Sequence, residues 1–172
     1  MILKSKNINL RAPEPSDIEL LYNWENDTDI WRISNTIVPY SQFAIEQYVL
    51  SSTQDIYTSR QLRLMIDLIK ENISIGVIDL FDYDPLNRRS GVGILILKKY
   101  RNMGYASESL AIVEKYTKEI LNFHQLWCNI SEHNIASIKL FERANYINTG
   151  IKKDWMLVND KWINELFFQK LL

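Results

Sequence analysis

The stretch YRNMGYASESL, residues 100–110, joins an apolar run, GVGILIL at 91–97, to GYASESLAIVEKYTKEILNF at 104–123, whose apolar positions 106, 110, 113, 116, 120 and 121 recur at helical spacing. The run before it reads as a strand and the run after it as a helix. The chain has only five glycines, and one of them, Gly104, falls at this junction. A strand that turns through a short loop into a helix leaves free backbone N–H groups at the helix start, where the macrodipole also favours negative charge. Such a turn suits an anion. Gly104 leaves room for a phosphate, Ala106 keeps the first turn small, and Lys98, Lys99 and Arg101 are expected to surround the anion with positive charge.

Two other phosphate loops can be tested against the letters. A Walker A loop needs G-x-x-x-x-G-K-[ST], which the chain does not contain. A dinucleotide fingerprint would begin at Gly91-Val92-Gly93, but position 96 is Ile and the segment continues as a strand instead of opening a helix.

Working outward, LKSKNINLRAP alternates polar and apolar residues up to Pro13 and reads as a first strand. Ser16-Asp17-Ile18-Glu19 has a capping-box pattern ahead of Leu20, Leu21, Tyr22 and Trp24, which predicts a helix over about 16–26. SQFAIEQYVLS predicts a second helix over 41–51. QLRLMIDLIK and ISIGVIDLF, parted by Lys70-Glu71-Asn72, predict a β-hairpin. QLWCNIS reads as a strand, NIASIKLFERAN as a helix, and YINTGIKKDWMLV and KWINELFFQKLL as two long strands about Asn159-Asp160. The order is β-α-α-β-β-β-α-β-α-β-β, without linker or repeat, so one domain over residues 1–172 is expected. Its class is α/β, in the sense of an α+β mixed sheet.

The 172 residues are 47% hydrophobic, enough for a core, and 20 basic against 21 acidic residues give no global basic field. No nucleic-acid or membrane partner is expected. The N-terminal apolar run is too short for a signal peptide and no segment approaches a membrane span, so the expected location is cytoplasmic. Cys128, the lone cysteine, allows no intrachain disulfide and no multi-cysteine metal site, and it reads as a small buried strand residue. His124 and His133 would stand roughly 30 Å apart on an extended strand, at about 3.3 Å per residue, so without a turn they do not close on one metal. No metal is expected.

Arg101-Asn102-Met103-Gly104-Tyr105-Ala106 matches [RQ]-x-x-G-x-[GA], and about thirty residues later HNIASIKLFERANY carries Asn134, Ser137, Glu142 and Tyr146 in an N-x-x-[SA]-x-x-[LI]-[YF]-E-[KR]-x-[GN]-[FY] pattern. With these two motifs in this order the chain resembles the GNAT superfamily of N-acetyltransferases. The region GVIDLFDYDPLNRRSGVGILI is similar to the branch of ribosomal-protein N-terminal and spermidine acetyltransferases. The resemblance implies acetyl-CoA as cosubstrate and direct passage of its acetyl group to an amine. The amine would be a small polyamine-like molecule or a protein N-terminus.

The resemblance also implies site residues. Arg101, Asn102, Met103, Gly104, Tyr105 and Ala106 would hold the pyrophosphate, with Asn134 and Ser137 beside it. The pantetheine arm would lie along Ile94 to Lys98, touching Ile96, Leu97 and Lys98, with a backbone N–H near Leu97 facing the thioester carbonyl. Asp79 would take the amine's proton. The tyrosine that usually protonates the departing thiolate is replaced here by Phe141, which has no proton to give. Ser131, Tyr105, Tyr146 or water would serve instead. Phe141 also supports an alternative, a non-catalytic acetyl-CoA-binding regulatory module, and a purely structural or protein-binding domain is a third reading. Six acidic residues and no Lys or Arg lie between Pro13 and Trp31, which suits a cationic acceptor or merely a solvated helix face. The two long C-terminal strands are suited to pairing across a homodimer.

Overall fold

The computed structural model describes residues 2–34, 36–51 and 55–172, the side chains of 32–34 excepted. The alternating N-terminal segment forms strand β1 (Ile8–Arg11), and Pro13 and Pro15 end it. A 3-10 turn over Pro15–Asp17 leads into helix α1 (Ile18–Glu25). The capping box forms two residues earlier than the sequence pattern suggests, between Glu14 and Asp17. The Asp17 carboxylate, not the Ser16 hydroxyl, holds the turn: it accepts the Glu14 N–H at 2.7 Å and is gripped by the Arg11 guanidinium at 2.6 and 2.9 Å. Two short helices that the apolar periodicity does not show, α2 (Thr28–Ser34) and α4 (Ile56–Ser59), flank α3 (Gln42–Ser51).

The hairpin follows as β2 (Leu62–Leu68) and β3 (Ile73–Asp84), turning through Asn72 in the left-handed conformation, which asparagine tolerates. Then come β4 (Arg89–Ile96), α5 (Tyr105–Glu119), β5 (Gln125–Ser131), α6 (Ile135–Arg143), β6 (Ile147–Val158) and β7 (Lys161–Leu171). The sheet has seven strands in the order β1-β2-β3-β4-β5-β7-β6. Its one parallel pair is β4 with β5, joined by the α5 crossover. Mixed α/β class and the order of the expected elements hold, with the two short helices added.

Alternation along the strands divides the core into two layers. Val92 and Ile96 of β4 face Leu110 and Val113 of α5, Leu126 of β5 and Phe168 of β7. Leu95 and Leu97 face the other way, with Met65 and Val77, against Leu21 and Trp24 of α1 and Ile45 and Val49 of α3. Trp24, with its indole in this second layer, is a core residue.

One pairing in this sheet is cut short. β4 pairs with β5 only from Arg89 to Gly91, opposite Gln125 to Trp127, after which the two strands part. Gly91 allows a tie at the closed end. The Phe81 ring occupies the space where a Gly91 β-carbon would stand, 2.3 Å from its Cε2, and packs edge-on against Trp127 at 5.2 Å. Gly91→Ala is therefore expected to push Phe81 off Trp127 and to destabilise the fold by about 1–3 kcal/mol, the usual cost of overpacking. Denaturant melts followed by tryptophan fluorescence check this; an unchanged midpoint would mean the ring moves freely.

Candidate active site

Beyond Gly91, strand β4 runs from Val92 to Ile96 with no strand on its β5 side, while β5 from Cys128 to Ser131 pairs only with β7. The seam widens toward the start of α5. Leu97 donates its N–H to Ile75 O at 2.9 Å, so the residues in register with it, Leu95 and Gly93, also turn their backbone groups toward β3. Ile94 and Ile96 turn theirs toward the seam. The backbone N–H expected near Leu97 is thus that of Ile96, because the Leu97 amide is already used within the sheet.

A cavity of about 520 Å³ lies at the wide end of this seam. Of the residues expected to hold a cofactor, Ile96, Arg101, Asn102 and Gly104 line it from the strand and loop, Tyr105 and Ala106 from the first turn of α5, and Asn134 and Ser137 from α6. Leu97, Lys98 and Met103 do not. Lys99 places its ammonium 5.3 Å from the centre of the Tyr100 ring, and neither Lys98 nor Lys99 lines the cavity, whereas Arg101 does. Arg101 Nε donates to Ile96 O at 2.8 Å, which anchors the loop to the strand it leaves.

Gly104 is the N-cap of α5, at φ 86°, and no side chain caps the helix there. A β-carbon added to Gly104 would meet nothing within 4 Å. The glycine is thus needed for its left-handed backbone, and the space in front of it is open. The N–H groups of the first turn of this fifteen-residue helix point into that space, and a diphosphate fits there. Asn134 caps α6, its Oδ1 accepting the Ser137 N–H at 3.1 Å, and it lines the same cavity. The two motifs, about thirty residues apart in sequence, therefore meet at one opening.

On the opposite face of the sheet stands a compact charge cluster. Arg63 of β2 donates Nε to Asp79 Oδ1 at 2.7 Å and Nη2 to Asp79 Oδ2 at 2.9 Å, and its Nη1 bonds Glu25 of α1. The Tyr48 ring of α3 lies 5.4 Å from the guanidinium carbon. Burial, with the neighbouring acids adding to it, holds the Tyr48 hydroxyl above its ordinary pKa and so in its neutral form. Asp79, expected as the base, has both oxygens occupied by a guanidinium. Of the six acidic residues between Pro13 and Trp31, Asp17 and Glu25 are thus bound by arginines.

Among the residues considered as proton donors, Tyr146 is buried. Its ring packs edge-on at 4.9 Å against Phe141, also buried, and its buried hydroxyl lies near Glu114 and does not line the cavity. Burial pushes this hydroxyl well above its ordinary pKa, and the Glu114 charge adds to the shift. Ser131 ends β5 at the mouth of the seam, its Oγ accepting the His133 N–H at 3.3 Å, and Tyr105 lines the cavity. Cys128 is buried in the core, which raises its thiol far above the range in which a thiolate forms. Among the described residues no cluster of His, Cys, Asp and Glu could hold a metal, and no helix is long and apolar enough to cross a membrane.

Known proteins resemble this chain. A spermidine N(1)-acetyltransferase of Vibrio cholerae serotype O1 is 20% identical over 161 residues, 92% of this chain and 89% of that protein. A [ribosomal protein uS5]-alanine N-acetyltransferase of Escherichia coli is 27% identical over 71 residues, 41% of this chain and 37% of that one. The crystal structure of spermidine N-acetyltransferase from Vibrio cholerae in complex with CoA and spermine superposes with a TM-score of 0.87 at 18% identity, over 97% of this chain and 96% of that one, which establishes the shared fold. The model of the acetyltransferase (GNAT) domain matches residues 7–146, a span that takes in the β4–α5 loop and all of α6. The chain therefore belongs to the GNAT family of N-acetyltransferases, transferases that use acetyl-CoA.

Proposed function

We propose that this protein transfers the acetyl group of acetyl-CoA directly to the primary amine of a small cationic acceptor of the polyamine class. The observation that carries the cosubstrate half is the meeting of the uncapped α5 N-terminus, the open space at Gly104 and the parted β4 strand in one cavity. Acetyl-CoA supplies an activated acyl carbon: the amine nitrogen bonds to it, the C–S bond breaks, and a proton passes from the nitrogen to solvent or a base while the sulfur is protonated. The protein holds the diphosphate at the first turn of α5 and presents the outward-facing Ile94 backbone groups and the Ile96 N–H along the seam. An N–H from Ile96 would polarise the thioester oxygen.

The acceptor half rests on charge and kinship. Glu25 and Asp79 share one guanidinium, so their cluster keeps a net negative charge on the α1 and α3 face, and Glu14, Glu19, Asp27 and Asp29 of the same N-terminal segment are exposed. Relatives matching nearly the whole chain are named for spermidine. A protein N-terminus is the second reading, favoured by the relative that acts on ribosomal protein uS5. Ser131 and Tyr105 are the proposed proton sources for the departing sulfur.

Asp79 enters this reading as a carboxylate held in place by Arg63. Asp79→Asn is expected to leave CoA affinity unchanged, to lower stability by about 1–2 kcal/mol through the loss of a charge-assisted pair, and to slow turnover. A variant that matches the parent rate at every pH would remove Asp79 from the chemistry.

Self-association is also proposed. β6 is the sheet edge, and Trp155, Leu157 and Trp162 on the last hairpin are more than half exposed, so a second copy pairing along that edge would cover them. Light scattering of the purified protein tests this.

The test of the activity begins with thermal melting. Acetyl-CoA at about a hundred times its dissociation constant is expected to add roughly 2.7 kcal/mol of stability, and CoA likewise, with little effect from ATP. An acetylation screen over spermidine, spermine and basic peptides then identifies the acceptor. No shift at millimolar acetyl-CoA would overturn the proposed function, and turnover of peptides alone would replace the polyamine class with a protein N-terminus.

A further inference from the structure

Helix α6 brings more to the cavity than its capped start. Lys139 and Arg143 both line it, four residues apart and so on one face of the helix. Both are exposed, and neither has a hydrogen-bond or ion-pair partner among the described residues. At about 1.5 Å of rise per residue they stand roughly 7 and 13 Å along the helix from Asn134. Arg143 also suits the negative C-terminal end of α6, but that role does not call for a second unpaired cation one turn earlier facing the same opening.

The other positive charges of the region are differently disposed. Lys98 and Lys99 do not line the cavity, and Arg101 is fastened through Nε to the Ile96 carbonyl beside the α5 N-terminus. The helix start and Arg101 form one anion site. The α6 pair forms another, on a separate wall. CoA carries two separate anionic groups, the diphosphate and the monophosphate at the 3′ position of its ribose, with the sugar between them. A cavity with two cationic walls matches that distribution, whereas a ligand with a diphosphate alone would leave the second wall unused.

We propose that Lys139 and Arg143 bind the 3′-phosphate of CoA and make this protein select CoA over dephospho-CoA. The inference rests on the reading of the cavity as the acetyl-CoA site and assigns a second subsite within it. Arg143 supplies a planar fork of donors to two phosphate oxygens, and Lys139 adds a mobile point charge from the preceding turn. Because the site is open to solvent, the contribution weakens as salt screens it.

The experiment is calorimetric titration of the parent protein and of the Lys139→Ala/Arg143→Ala double variant with CoA and with dephospho-CoA, at two salt concentrations. The parent is expected to bind CoA about tenfold more tightly than dephospho-CoA at low salt, with the ratio shrinking at high salt. The double variant is expected to lose that ratio while its affinity for dephospho-CoA stays within about twofold of the parent's. A variant carrying Arg143→Lys alone retains part of the preference. Both residues lie on the surface, and an unchanged melting temperature without ligand shows that the fold is kept.

Equal affinity of the parent for the two ligands would overturn the subsite and leave the acetyl-CoA reading standing. A double variant that loses both ligands alike would move the pair to the diphosphate and also overturn it. A parent protein that binds neither ligand would overturn the reading of the cavity itself.

Discussion

A Gly104→Glu variant is expected to lose at least about a hundredfold in affinity for acetyl-CoA and CoA while remaining folded. Two effects act together. The backbone at Gly104 is at φ 86°, where an L side chain costs about 1–2 kcal/mol, so the loop relaxes or carries strain. The new carboxylate also enters the open space at the helix start, where it takes the N–H groups meant for the diphosphate and repels what remains. A hundredfold loss corresponds to about 2.7 kcal/mol, within reach of one misplaced charge at a short distance. Gly104→Ala separates the causes, since it carries the strain without the charge and should bind with an intermediate loss. Calorimetric titration of both variants, with melting curves as a control on folding, makes the check. Parent-like CoA affinity in Gly104→Glu would show that the diphosphate does not sit at this turn.

The second large effect is on stability. Arg63→Ala removes the cation shared by Asp79 and Glu25 and leaves two carboxylates close together at the junction of β2, β3 and α1. Breaking a buried ion pair by deleting one partner commonly costs about 3–5 kcal/mol. The side chains here are 19% exposed for Arg63 and Glu25 and 28% for Asp79, so solvent screens part of the charge. A loss of about 2–4 kcal/mol is expected. For a chain of this length that lowers the melting temperature by about 5–15 °C. Arg63→Lys keeps the charge but not the fork, and is expected to recover only part of the loss. A melting temperature within about 2 °C of the parent would show that the cluster is solvated and contributes little.

The sequence and the structure agree most closely where local rules govern. The helix after Gly104, the strand QLWCNIS and the final hairpin appear nearly as the periodicity predicts, because each has a long apolar repeat and a strong turn residue at its end. Helices α2 and α4 were not legible, since seven and four residues are too short for a repeat to show. The capping box ahead of α1 lies two residues from its expected place because the Arg11 guanidinium, six residues away, reaches Asp17 and settles which carboxylate turns inward. Lys98 and Lys99 looked like phosphate ligands by nearness in sequence, but the 3-10 turn over Lys98–Tyr100 carries them out of the cavity. Lys139 and Arg143 went unassigned for the converse reason: the second motif includes Arg143 at its [KR] position but gives neither cation a binding role until α6 is laid beside α5.

The amino-acid sequence by itself determined the class and order of the elements, the glycine junction between β4 and α5, and the family to which the chain belongs. These depend on residues within a few positions of one another, where hydrophobic period, turn chemistry and capping act directly. Only the tertiary structure decided that Ile96 rather than Leu97 turns its amide to the seam, that Asp79 is held by Arg63, and which cations face the cavity. Each of these depends on strand register or on contacts between distant segments. A shift of one residue in β4 would reverse every inward and outward group along it, and no local pattern carries that information.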